Sequence, residues 1–223
     1  MRAAMLDKVP TRGEHPSAKM GGVMQLIGML ASPYVRRVAI SLKVLGLPFS
    51  HDLVSVFRHF EKFSSINPVV KAPTFITDNG TVLMDSGLIL EHIAAVAPPG
   101  LVPTDRAAHE IALRRLGLAL AACDKTVSIL YERNQRPPEK RHQPWLDRAL
   151  GQVLAAYGAL EREIPSDWFT GEALMQPQIT TAVAWYFTQH DIAELVPASD
   201  FPKLAALSAR AEKLAPFVET AYS

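Results

Sequence analysis

The sequence predicts two folded units in tandem, an α/β unit followed by an all-α helical bundle, and three observations carry that reading. Strand and helix patterns alternate from Met24 to Val96. An Asn79-Gly80 pair separates two short strand patterns, as a tight antiparallel hairpin requires. Pro98-Pro99-Gly100 then ends the alternation, and only helical patterns follow.

Residues 1–23 mix Arg2, Asp7, Lys8, Arg12, Glu14 and Lys19 with two prolines and show no apolar period; they read as a flexible tail. The first folded unit spans 24–97. Residues 25–30 read as a short buried strand, broken by Ala31-Ser32-Pro33 before a helix. Val35, Val38, Ala39, Leu42 and Leu45 recur at helical spacing, and Gly46 is placed to end the run. A second strand over 49–54 completes a β-α-β unit, which geometry makes parallel and right-handed. Residues 55–67 read as irregular or a short helix. The strands at 74–77 and 81–84 flank Asp78-Asn79-Gly80, where glycine and asparagine accept positive φ. Asp85-Ser86 opens a helix through Ile89, Ile93 and Val96.

Residues 98–104 read as a linker and 105–223 as the helical unit, with helices over about 105–133, 145–163 and 177–190 and a last one from Pro202 onward. Asp200 two residues before Pro202 is a good helix start, because a proline loses nothing at the first helical position. Trp145, Trp168 and the cluster Trp185-Tyr186-Phe187 read as core.

Composition excludes several function classes. The 223 residues are 48% hydrophobic and 20% charged, which suits a chain with a sizeable core. Lys plus Arg number 23 against 22 for Asp plus Glu, so no net positive field draws the chain to nucleic acid or an anionic membrane. Cys123 is the only cysteine, which excludes an internal disulfide framework and any C-x-x-C motif and fits a reducing compartment. The seven histidines form no recognisable ligand spacing, so no metal is expected. Neither a signal-peptide h-region nor an apolar run of membrane-spanning length occurs, and a cytoplasmic protein is expected.

Three local motifs invite chemistry. Ser32-Pro33 is an N-cap followed by an N1 proline; the same hydroxyl at a helix N-terminus can also face a thiol, whose thiolate the partial positive charge of the helix end favours. Ala72-Pro73 is a strand-entry proline when taken alone. Asp85-Ser86 is a helix N-cap when taken alone.

Taken together, Ser32-Pro33-Tyr34-Val35-Arg36-Arg37-Val38, Asn67-Pro68-Val69-Val70-Lys71-Ala72-Pro73 and Met84-Asp85-Ser86 stand in the order and spacing that resemble the cytosolic glutathione transferases, and Glu132 to Lys140 resembles a segment of a bacterial subgroup. The resemblance covers 24–223. It implies a thioredoxin-like first domain and a second, helical domain, glutathione as co-substrate, a small electrophile as second substrate, and a homodimer. It also assigns roles. Ser32 would donate to the glutathione sulfur and be the catalytic residue of a serine-type enzyme. A cis Ala72-Pro73 bond would turn the Ala72 backbone toward the cysteinyl unit, and Asp85 and Ser86 would hold the amine and carboxylate of the γ-glutamyl group. For the glycyl carboxylate the basic candidates are Lys71, Arg58, His59 and Lys62, with Lys71 preferred. The second substrate would lie between the domains, near Tyr34, Ser128, Tyr131 and Glu132.

One departure from the family pattern is the lack of a Ser/Thr-x-x-Asp capping box before the third helix of the second domain, where Met175-Gln176-Pro177-Gln178 stands instead. The expected activity is addition of glutathione to an electrophile, or its use to reduce a peroxide or displace a leaving group. The alternative is a noncatalytic glutathione-binding or protein-interaction module on the same fold. A thiol-disulfide oxidoreductase would need a cysteine where Ser32 stands.

Overall fold

The computed structural model describes residues 22–97, 99–165, 168 and 174–223; most of the expected tail, 1–21, lies outside them. Its first part follows the order β1 (Met24–Ile27), α1 (Pro33–Val44), β2 (Phe49–Asp52), α2 (Phe60–Ile66), β3 (Thr74–Ile76), β4 (Val82–Met84) and α3 (Ser86–Val96). The four strands form one mixed sheet in the order β2-β1-β3-β4. Strands β1 and β2 run parallel, with Met24 opposite Phe49 and Ile27 opposite Asp52, while β3 is antiparallel to both β1 and β4. This is a thioredoxin-like sheet.

Alternation along β1 sends successive side chains to opposite faces. Leu26 joins Val35, Val38, Leu42, Phe75, Ile89 and Ile93 under α1 and α3. Ile27 joins Val54 and Phe63 under α2 on the other side. Strands β1 and β2 are both shorter than the sequence suggests. At Gly28, φ is +140° and an added Cβ would sit 2.6 Å from the Val35 side chain, so the chain must turn beneath α1 there. Strand β2 ends where Val54 N–H bonds back to Asp52 O. The Ser55 hydroxyl then accepts from Phe57 and Arg58 N–H while His59 Nδ1 accepts from Ser55 N–H, which delays the helical turn to Phe60.

The second part is helical: α4 (Arg106–Gln135), α5 (Gln143–Glu163), α6 (Gln176–Ile192), α7 (Pro202–Ala211) and α8 (Ala215–Val218). Its core is built on Tyr157, Trp185 and Phe201, packed edge to face at 5.1–6.1 Å, with the Tyr157 hydroxyl bonded to Ala184 O and Thr188 Oγ1. No helix among the described residues is long and apolar enough to cross a membrane.

Three expectations are corrected. The helix from Pro202 is interrupted at Glu212–Leu214, and Pro216 sits in the first turn of a separate α8. Asp200 does not cap α7: the Glu161 carboxylate on α5 accepts from Lys203 and Leu204 N–H at 2.8 and 3.0 Å, a cap from outside the local sequence. Trp145 is not core, at 39% exposed, because it lies in the first turn of α5 beyond the packed part of the bundle. Helix α6 starts without a side-chain cap, with a proline in its first turn as expected, and Gln176 N–H bonds to Leu101 O.

Helix α1 joins the two parts. Ile40 packs with Leu101, Ile179, Val183 and Phe217. Arg36, 1% exposed, makes a bidentate pair with Glu212 at 2.8 and 2.6 Å and donates to Thr220 O and Phe217 O. Truncating the partner of a buried charge leaves that charge uncompensated, a loss of about 3 kcal/mol or more. Glu212→Ala is therefore expected to lower the thermal midpoint by about 6 °C or more, at roughly 2–4 °C per kcal/mol for this chain length. An unchanged midpoint in calorimetry would show that Arg36 finds another partner.

Candidate functional site

One cavity of about 740 Å³ lies between the sheet domain and α4. Its sheet-side wall is made by three turns, each fixed by local hydrogen bonds. The first is the start of α1, where Ser32 has extended backbone (φ −77°, ψ 120°) and its Oγ accepts from Val35 N–H at 3.4 Å. That is a long, weak cap. Among the described residues the Ser32 hydroxyl proton has no acceptor within the protein, and the side chain is half-buried at the cavity wall.

The second turn runs from Asn67 to Pro73. Asn67, 3% exposed, donates to Thr74 Oγ1 at 2.9 Å and accepts from Val69 N–H at 3.0 Å, while Thr74 Oγ1 donates to Lys71 O. These bonds close the loop on itself. Val70 takes φ +51° and the Ala72-Pro73 peptide is cis, as the resemblance implies. Lys71, Ala72 and Pro73 all face the cavity.

The third turn is the start of α3. Asp85 caps the helix, its carboxylate accepting from Gly87 N–H at 2.9 Å, with φ at +74°. A non-glycine residue in that region is sterically disfavoured, and such strain concentrates at ligand sites. Burial pushes the Asp85 carboxyl up, but the Gly87 N–H, Lys71 and the Leu88 N–H together outweigh it, so it lies below the ordinary carboxylate range. Lys71 Nζ stands 3.3 Å from Asp85 Oδ2. Ser86 follows at the first helical position, 5% exposed, and accepts from Arg37 Nη1 at 3.0 Å.

The opposite wall is a stripe of α4: Asp124, Val127, Leu130, Tyr131, Asn134 and Gln135, with Phe187 of α6 behind it. Tyr34 lies at the junction of the walls. Burial, with the neighbouring Cys123 adding to it, pushes the phenol well above its ordinary range, so Tyr34 stays neutral. At the rim Phe57, from the segment after β2, meets Tyr131 edge to face with ring centres 5.7 Å apart.

The structure thus brings Ser32, Tyr34, Lys71, Ala72, Pro73, Asp85, Ser86 and Tyr131 to one cavity, with Arg58 beside them. Ser128, Glu132, His59 and Lys62 do not line it. Ser128 is turned back on its own helix, donating to Asp124 O. Glu132 is buried on another face of α4, where it accepts from His142 N–H and pairs with Arg136 at 3.0 Å. Arg141 donates to the carbonyls of Arg133 and Arg136, so the segment after Glu132 is a device that closes the α4–α5 turn. Sequence reasoning missed Phe57, Val127, Leu130 and Phe187. The 3-4-3 spacing of 124, 127, 131 and 134 is a legible helical stripe, but not one that announces a cavity.

Residues 26–100 match the family model of the glutathione S-transferase N-terminal domain. Over 153 residues the chain is 29% identical to Glutathione S-transferase U3 of Arabidopsis thaliana, across 68% of this chain and 65% of that protein. The chain covers less than two thirds of the length of the curated relatives it matches. Among solved structures, a glutathione S-transferase of Methylobacterium radiotolerans in complex with glutathione sulfonate superposes with a TM-score of 0.81 at 28% identity, covering 88% of this chain and 93% of that one. A glutathione transferase family member of Pseudomonas fluorescens with bound glutathione does so with a TM-score of 0.79 at 27% identity, covering 90% and 99%. Residues 26–100 are thus similar to a glutathione S-transferase N-terminal domain, and the chain has the two-part fold of the glutathione transferase structures. These matches support its place in the glutathione transferase family.

Among the described residues no group of three or more histidine, cysteine, aspartate or glutamate side chains could hold a metal ion. Cys123 is 2% exposed, and burial pushes its thiol up to about 12. A thiol of that kind is inert. Native protein at neutral pH is expected to leave Cys123 unmodified by a maleimide over the time in which urea-unfolded protein reacts fully, as read by intact mass; rapid native labelling would overturn the assignment of Cys123 to the core.

Proposed function

We propose that the chain is a glutathione transferase of the serine type, acting on a small apolar electrophile. The observation that carries this reading is the convergence of the Ser32 hydroxyl, the Ala72 backbone and the Asp85-Ser86 helix start on one wall of a single cavity, in a fold whose relatives bind glutathione or its derivatives.

The wall fits a tripeptide with charged ends. Asp85 stays ionised at neutral pH and would take the γ-glutamyl amine, while the hydroxyl and backbone N–H of Ser86 would take its carboxylate. The exposed Ala72 backbone suits the cysteinyl unit, paired as an added strand. For the glycyl carboxylate Arg58 is the better partner, because Lys71 is committed to Asp85. This arrangement sets the thiol near Ser32. There the hydroxyl donates to sulfur and the N-terminal end of α1 favours negative charge, so the thiol gives up its proton to solvent at a lower pH. The thiolate then supplies its electron pair to the electrophilic carbon, forming a C–S bond as the leaving group departs with its own bonding pair.

The apolar wall of Val127, Leu130, Tyr131, Phe57 and Phe187 suits an electrophile with little charge. A homodimer belongs to the same proposal, supported by exposed apolar side chains at Val82, Leu88, Val96, Ile111 and Leu113. Light scattering at micromolar concentration tests it, and a monomeric mass would remove it.

Two substitutions separate the roles. Ser32→Ala is expected to raise the pKa of the bound thiol, followed by thiolate absorbance, by about 1–2 units, equivalent to about 1.4–2.7 kcal/mol, and to lower turnover at pH 7 in proportion. Ser32→Asp retains a capping acceptor but puts negative charge beside sulfur, so the thiol pKa should rise as much or more while thermal stability stays near wild type. Wild-type thiol pKa and rate in both variants would leave Ser32 as a cap alone. Phe57→Ala removes half of the rim contact, worth about 0.5–1.5 kcal/mol in such pairs, and is expected to raise KM for an apolar electrophile severalfold while glutathione Kd stays within about twofold. An equal loss for both ligands would show that Phe57 holds the glutathione wall instead.

A further inference from the structure

The segment after α8 is tied down more firmly than a short stretch of coil requires. Thr220 is 2% exposed, and its carbonyl accepts from Arg36 Nε at 2.8 Å. Two residues on, the Tyr222 hydroxyl donates to Asp191 Oδ2 at 3.0 Å. The Tyr222 ring lies 4.2 Å from that of His190 and 5.9 Å from that of Tyr186, both on α6. Burial, reinforced by Asp191, pushes the phenol well above its ordinary range, so Tyr222 remains a protonated donor at neutral pH. The same side chain packs against Cys123, Ala184 and Phe187, as do Tyr34, Val127 and Leu130 of the cavity walls.

These anchors place one backbone bond at the cavity. Ala31 N–H donates to Ser223 O at 2.8 Å, and Ser223 lines the cavity together with Ala31 and Ser32. The turn that carries Ser32 depends on such an outside hold. Its helix grips it weakly, because Ser32 Oγ accepts from Val35 N–H only at 3.4 Å, and within the turn Ser32 N–H donates to Met29 O at 3.0 Å. A hydroxyl that must meet a sulfur tolerates little displacement, since an error of about 1 Å at a reacting group can cost about a hundredfold in rate.

We infer that Tyr222 is a positioning residue of the thiol site: held by Asp191 and the rings of α6, it keeps segment 220–223 against the turn before α1, so that Ser223 O fixes the Ala31 N–H and with it the place of the Ser32 hydroxyl. This rests on the serine-type reading above. Arg36 is the second anchor of the same strap, at Thr220. Because the strap runs from the helical domain to the sheet domain, the packing around α6 sets the aim of a side chain on the opposite wall.

Two readouts test the strap, one of them without any ligand. In the free full-length protein, hydrogen exchange of the Ala31 amide, followed by NMR, is expected to speed about tenfold or more in Tyr222→Ala. It is expected to stay within about twofold in Glu219→Gln, which frees only the solvent-facing pair with Lys43 on the same stretch. Unchanged Ala31 exchange in Tyr222→Ala overturns the inference. With glutathione bound, Tyr222→Phe and Asp191→Ala each remove one partner of the hydroxyl bond and keep the Tyr222 ring or its phenyl equivalent in place. Both are expected to raise the thiol pKa by about half a unit or more while glutathione Kd stays within about twofold, because the turns at Ala72 and Asp85 are untouched. A loss of glutathione affinity as large as the loss of thiol ionisation would make Tyr222 merely structural and overturn the inference. Asp191→Asn keeps an acceptor for the phenol and is expected to restore a thiol pKa near that of the wild type. In a Ser32→Ala background, Tyr222→Phe is expected to add no further shift; a shift that persists without the Ser32 hydroxyl overturns the inference. If Ser32→Ala itself leaves the thiol pKa unchanged, the serine-type reading falls and this inference with it, whereas a shift in Ser32→Ala with none in Tyr222→Phe or Asp191→Ala overturns the inference alone.

Discussion

Helix α1 has no broad solvent face. Nine of its twelve residues are buried, where an ordinary surface helix would bury about half, because the sheet lies on one side and α6, α7 and α8 close the other. A helix enclosed in this way must find partners for every polar group it carries. Arg36 reaches Glu212 and the carbonyls near the end of the chain, Ser41 reaches the Arg37 carbonyl, and Arg37 reaches Ser86 and α6. These bonds set the angle between the two domains. The cavity is the gap left where that angle opens, and its two walls keep their spacing only while α1 stays enclosed.

Each of the three turns on the sheet-side wall satisfies its own backbone first. Ser32 and Asp85 cap helices, and Asn67 closes a loop. The groups left over after that local accounting are the ones that face the cavity: a hydroxyl proton at 32, a carboxylate edge at 85 and the open backbone at 72. Local structure and the cavity surface thus use different atoms of the same residues.

That economy also governs what was legible in the sequence. The element order, the Asn79-Gly80 hairpin and the three turn motifs are local, written in spacing, capping residues and prolines, and they appear in the structure where they were expected. What was illegible depends on partners distant in sequence. The cap of α7 comes from Glu161 some forty residues earlier, and nothing near Pro202 records it. Ser128 and Glu132 seemed as well placed as Tyr131, because the side of α4 that faces the cavity depends on its packing against α5 and α6. Adjacent arginines in a charged motif ordinarily suggest solvent, so the burial of Arg36 and Arg37 could not be read without knowing that α1 is covered on both sides.

The far wall, finally, is one stripe on one helix. Asp124, Val127, Leu130, Tyr131, Asn134 and Gln135 face the cavity, while Ala119, Ala122 and Ile129 on other sides of α4 hold it in the bundle. The positions that face the cavity are therefore almost disjoint from those that keep the helix in place, and wholly disjoint from the three turns opposite. Substitutions along the stripe cost little in folding and leave the opposite wall undisturbed. A copy of this chain altered only here would present a different far wall to whatever enters the cavity, on an unchanged scaffold.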